Sequence, residues 1–183
     1  MAKIALLLLK LFGWQIVGEL PKEKKYVVIF APHTSNWDFV IFLLVKIVFK
    51  LKLVFIGKHT LFIGPLGWLL RKLGGLPIER SSRHDMVDFI VSEFKQSDEM
   101  IFGLSPEGTR KYLDHWKSGF YHIAYKANIP VLCAFLDHSK KQSGFGPLFY
   151  LSKDKYFDLE KISKFYSDKI GMKPENFSKS VFK

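Results

Sequence analysis

His33 and Asp38 are separated by four residues in the stretch "APHTSNWDF", which joins two apolar runs, "YVVIF" and "VIFLLVKIVF". A histidine just ahead of a helix start can fold back so that one ring nitrogen meets the carboxylate. The carboxylate then fixes the tautomer and favours the imidazolium, leaving the other nitrogen to act as a general base. A base of this kind accelerates a reaction by roughly 10²–10⁴. Helix capping explains the residues around it: Ser35 or Asn36 caps a helix that begins near Trp37, and Asp38 lies in the first turn, where the helix dipole favours a carboxylate. Capping does not account for His33. A second polar cluster, "SPEGTR" at 105–110, follows the apolar run "MIFGL" in the same way. Ser105 follows Gly103, but Pro106 and Glu107 come next, so this is not the elbow of a serine nucleophile.

These clusters need elements to hold them. "WQIV", "YVVIF", "LVFIG", "MIFGL" and "PVLCAFL" read as strands, and "FGPLFYL" as a further one. A helix is expected from about Asp38 to Phe49, and "PLGWLLRKL" is a short helix ended by Gly74 and Gly75. Val87, Ile90, Val91 and Phe94 repeat at helical spacing within 85–96, as do Phe120, Ile123, Ala124 and Ala127. Leu159, Ile162 and Tyr166 mark a last helix before a lysine-rich tail. "LPI" is too short to assign. Alternating strands and helices predict an α/β fold with a largely parallel central sheet flanked by helices. In such sheets chemistry collects beyond the carboxyl ends of strands, where both polar clusters fall.

The chain has 183 residues, 48% of them apolar, with 18 Phe and a formal net charge of +11, which fits one domain with apolar surface to spare. A basic, greasy chain suits an anionic membrane surface. The lysines are dispersed and no RNA- or DNA-binding signature accompanies them, so no nucleic-acid partner is expected. Cys133, the single cysteine, excludes an intrachain disulfide and sits in an apolar run as core packing. The N-terminal "AKIALLLLKLF" forms a helix about 16 Å long, short of the ~30 Å hydrocarbon core, with Lys3 and Lys10 on one face. It is expected to lie in a membrane interface or pack on the domain. Lys46 and Lys50, four apart, are expected on one face of the next helix. His59, His84, His115, His122 and His138 show no metal-ligand spacing, and no metal site is expected.

Four stretches in order, "HTSNWD", "GGLPIER" at 74–80, "SPEGTR" and "IPVL" at 129–132, resemble the blocks of the glycerolipid acyltransferase family, the lysophosphatidate acyltransferase-like enzymes. The resemblance covers roughly 14–150. Glu79 stands where the family commonly has Asp, and Ser105 where it commonly has Phe. It implies a single acyltransferase domain over 1–183, with an interfacial helix at 1–13, a catalytic core at 14–150 and a C-terminal helix and basic tail at 151–183. The implied fold is that of glycerol-3-phosphate acyltransferase-like proteins. The implied reaction moves a fatty acyl group from acyl-CoA or acyl-carrier protein to the hydroxyl of a lysophospholipid-type acceptor, with no cofactor, on the cytoplasmic face of a membrane.

In that reaction His33 is the base, Asp38 orients it, and the acceptor's own hydroxyl attacks. The second and third blocks, with Arg80, Glu107, Gly108, Thr109 and Arg110, are implied to bind the acceptor's glycerol-phosphate end. Arg80 and Arg110 suit phosphate oxygens because guanidinium binds them in pairs. Glu107 is expected to hydrogen-bond either the acceptor's hydroxyls or Arg80 and Arg110, and Lys58 to add positive charge. Backbone N–H groups near Asn36 or Gly108 are the candidates for holding the oxyanion. The alternative is a non-catalytic lipid-binding module that docks on membranes.

Overall fold

Lys25–Ala31 is apolar at nearly every position, as a strand covered on both faces must be. In the computed structural model, which describes residues 1–78 and 83–178, this strand is the centre of a seven-stranded sheet. In chain order the strands are β1 (Gln15–Val17), β2 (Lys25–Ala31), β3 (Leu53–Lys58), β4 (Gly75–Ile78), β5 (Met100–Leu104), β6 (Val131–Asp137) and β7 (Gln142–Phe149). Across the sheet they run β1-β7-β6-β2-β5-β3-β4. The five strands from β6 to β4 are mutually parallel. β7 turns back antiparallel to β6, and β1 lies parallel to β7. The short turn after β6 dictates that reversal, because a parallel partner needs a long crossover.

Side chains alternate along β2 and split the core in two. Val27, Ile29 and Ala31 face one layer, built from α4 (Arg83–Gln96), α5 (Gly119–Ala127) and α6 (Lys155–Tyr166). Tyr26, Val28 and Phe30 face the other, built from α1 (Ala2–Leu11), α2 (Asn36–Val48) and α3 (Gly64–Lys72). The Tyr166 hydroxyl ties α6 to the sheet, donating toward Ile29 O and Ala134 O at 3.1 and 2.9 Å. Cys133 is buried in β6 as core, and burial pushes its thiol well up.

The expected α/β architecture with a largely parallel sheet is the one observed, and the N-terminal helix is present. Two local readings change. "LPI" belongs to a real strand, β4, because β3 offers it an edge to pair with. Lys50 does not share a helical face with Lys46: α2 ends at Val48, and Lys50 adopts a left-handed backbone with φ of 52° beyond it. Among the described residues no helix is long and apolar enough to cross a membrane.

Candidate functional site

Three neighbouring strands, β5, β2 and β6, deliver the site to one edge of the sheet. The loop after β2 carries His33, and the first turn of α2 carries Asp38. Ser35 is the helix cap: its Oγ accepts from the Trp37 N–H at 3.2 Å. Asp38 reaches back in reply, and its Oδ2 accepts the N–H groups of Thr34 and Ser35 at 2.6 and 2.7 Å. The carboxylate is fully buried, so these bonds offset the cost of taking it out of water.

The expected contact between the His33 ring and Asp38 is not made. Oδ2 of Asp38 is committed to the cap amides, and Oδ1 meets Nε2 of His138 at 2.8 Å. His33 Nδ1 is buried and has no hydrogen-bond partner among the described residues. Asp38 instead acts on His33 through its charge. Burial holds the His33 imidazole below its ordinary pKa, Asp38 opposes that, and Arg110 lowers it further. The outcome is a ring that is neutral near pH 7, the form a base requires.

Glu107 also sits elsewhere than expected. Its Oε1 accepts the backbone N–H of His33 at 2.8 Å, so it fixes the loop from β5 across to the loop from β2. No contact with Arg110 is made. Glu107 is 2% exposed, and burial raises its carboxyl to about 8, with the His33 amide opposing and Asp38 adding to the rise. Gly108 takes φ of 63°, and its N–H closes a turn onto Ser105 O at 3.1 Å. Any Cβ there would meet the Lys117 side chain at 2.8 Å. That N–H is therefore engaged and is not a free oxyanion donor. Thr109 Oγ1 accepts the Lys111 N–H at 3.3 Å within its own loop.

Arg110 is exposed, close enough for its charge to depress His33. Lys58 ends β3, exposed at the same edge of the sheet. Arg80 and Glu79 lie outside the described residues. Phe42 of α2 is core, packed on Phe30, whereas Trp68 and Leu69 of α3 are on the surface. Ser105 Oγ and Glu107 Oε2 are buried without hydrogen-bond partners, as His33 Nδ1 is. These three orphaned polar atoms lie on two adjoining loops. Among the described residues no group of three or more His, Cys, Asp or Glu converges as metal ligands would.

His138 escapes a reading that asks only about metal spacing. The signal that finds it is positional: it is the first residue beyond β6, the strand next to β2, and it follows a buried Asp137.

The His33–Asp38 loop at the end of the central strand and the buried Glu107 on the neighbouring loop thus stand together at one end of the sheet. The family profile described as Acyltransferase matches residues 15–137, and the chain belongs to that family. It is similar to the 1-acyl-sn-glycerol-3-phosphate acyltransferase of Saccharomyces cerevisiae, at 29% identity over 125 residues, covering 64% of this chain. The chain spans 41% of that relative's length. In fold it resembles the crystal structure of the 1-acyl-sn-glycerophosphate (LPA) acyltransferase, PlsC, from Thermotoga maritima, with a TM-score of 0.64 and 19% identity. That match covers 90% of this chain and 74% of the other.

Proposed function

We propose that the chain transfers a fatty acyl group from a thioester, acyl-CoA or acyl-carrier protein, to the hydroxyl of a lysophospholipid-type acceptor such as 1-acylglycerol-3-phosphate, in phospholipid biosynthesis. The observation that carries this is His33: a half-buried imidazole whose pKa burial lowers, standing at the end of the central strand where it feels the charge of the buried Asp38 carboxylate. In the reaction the imidazole takes the acceptor's hydroxyl proton as that oxygen attacks the thioester carbonyl carbon. The tetrahedral oxyanion then collapses, the C–S bond breaks, and the imidazolium returns the proton to the leaving thiolate. Asp38 stabilises the imidazolium through its charge. The Asn36 N–H, at the amino end of α2, is the donor proposed for the oxyanion. Arg110, Lys58 and, by family likeness, Arg80 take the acceptor's phosphate, with the backbone of Gly108 and Thr109 shaping the loop.

We further propose a peripheral position on the cytoplasmic face of a membrane, and the exposed apolar groups support the membrane part of it. α1 exposes Ile4, Leu7 and Leu11, with Lys3 and Lys10 on the same short helix. Trp37 and Val40 on α2, and Leu61 and Ile63 after β3, add exposed apolar groups toward the edge that holds His33. Apolar side chains flanked by lysines suit an anionic bilayer, from which a lysophospholipid need not fully leave.

The test offers the purified chain a panel of lyso-lipids with labelled acyl-CoA and acyl-carrier protein, and identifies products by mass spectrometry. His33→Ala is expected to abolish transfer while vesicle binding persists. Full activity in a folded His33→Ala protein refutes the mechanism; no product with any pair, alongside vesicle binding, favours the non-catalytic module.

A further inference from the structure

The carboxylate that His33 depends on is gripped from a third strand. Nε2 of His138 stands 2.8 Å from Oδ1 of Asp38, across 100 residues of sequence. Asp38 is 0% exposed and the His138 side chain 19% exposed, so the pair sits at the inner wall of the site with little water to compete. An ionised carboxylate offers only acceptors, so the ring nitrogen that faces it must carry a hydrogen and donate.

The imidazole is not free to turn away. Its backbone N–H donates to Ile170 O at 2.8 Å, and its ring meets Trp14 edge-on, with centroids 5.0 Å apart. Thr34, whose amide also binds Asp38, accepts the Lys173 N–H on its Oγ1 at 3.1 Å. The C-terminal segment thus braces His138 and the His33 loop together.

We propose that His138 is a positioning residue for the proposed transfer: by donating Nε2–H to Oδ1 it sets the rotation of the Asp38 carboxylate, so that Oδ2 stays on the Thr34 and Ser35 amides and the loop holds His33 in place. Without that donor the carboxylate keeps only its cap bonds and can rotate, and Oδ1 becomes a buried acceptor lacking its partner. His138 touches no reacting atom. Its effect falls on the orientation of the base, and so on turnover more than on substrate affinity.

The role rests on the acyltransferase reading, and the experiment separates the two. His138→Gln, His138→Asn and His138→Ala are compared in the full chain. The Gln amide can place an N–H where Nε2 stands; Asn is too short, and Ala has no donor. Ala and Asn are expected to lower kcat by on the order of tenfold or more, with the acceptor KM near wild type, and Gln to restore most of the loss. In parallel, the amide proton resonances of Thr34 and Ser35, which report the Asp38 carboxylate without any turnover, should move in Ala and Asn and stay in Gln. Wild-type kcat in Ala, or a Gln variant as slow as Ala with its amide resonances shifted equally, overturns the role. If Ala does not fold, the Gln–Asn pair decides by the same criteria. If the wild-type chain transfers no acyl group, the function fails on its own account, and the amide resonances still decide whether His138 holds the carboxylate.

Discussion

Replacing Glu107 by Gln should flatten a slope that the wild-type protein shows between acid and neutral pH. The Glu107 carboxyl is buried and rises from an ordinary 4.5 to about 8 on folding. Below pH 4.5 it is protonated whether folded or not, and it costs nothing. Between the two values the unfolded chain has released the proton and the folded chain has kept it. Folded stability therefore falls as pH rises, by about 1.4 kcal/mol per pH unit. Above pH 8 both forms are ionised and the loss levels off at about 5 kcal/mol as an upper figure. For a chain of this length that corresponds to on the order of 10 °C in Tm. Gln keeps an oxygen to accept the His33 N–H but has no proton to lose. Thermal or urea melts of both proteins at half-unit steps from pH 4.5 to 8.5 give the test, because every other titrating group cancels in their difference. The Gln variant should gain on wild type steadily up to about pH 8 and level off above it. A gap that stays constant with pH refutes the claim that Glu107 is held neutral by burial.

Arg110→Ala should raise the acceptor KM, if the guanidinium takes the phosphate. It should also move the acid limb of the kcat/KM profile to higher pH, because Arg110 depresses His33; steady-state kinetics across pH reads both, and an unmoved limb denies the electrostatic contact. Tyr166→Phe removes the hydroxyl that serves Ile29 O and Ala134 O in the core, and should cost about 1–3 kcal/mol by urea denaturation. Leu7→Glu with Leu11→Glu places charge on the exposed face of α1 and should cut sedimentation with anionic vesicles while leaving Tm within a few degrees; unchanged binding assigns docking to another surface.

Much of the fold is legible because its causes are local. The apolar spacing of α4 and α5, the continuous apolar run of β2 and the Ser35–Asp38 cap all act over a few residues, and short-range sterics and hydrogen bonds decide them. β4 was harder, since four residues have no periodicity to speak of and become a strand only when β3 supplies the pairing edge. Lys50 departs from its expected face for a related reason: it lies just past the end of α2, in a left-handed turn that forms where the chain must re-enter the sheet at Leu53.

The residue types of the site were present in the sequence, and so were their chemical limits. His33 just ahead of a helix, Asp38 in the first turn of that helix and "SPEGTR" beyond a strand could be placed at one sheet edge from pattern alone. What each side chain binds was settled by strand order. Because β2 lies between β5 and β6, Glu107 reaches the His33 amide and His138 reaches Asp38, contacts that span 74 and 100 residues. No local preference encodes such distances. They follow from which strands pair, and pairing is chosen by burying two apolar layers at once.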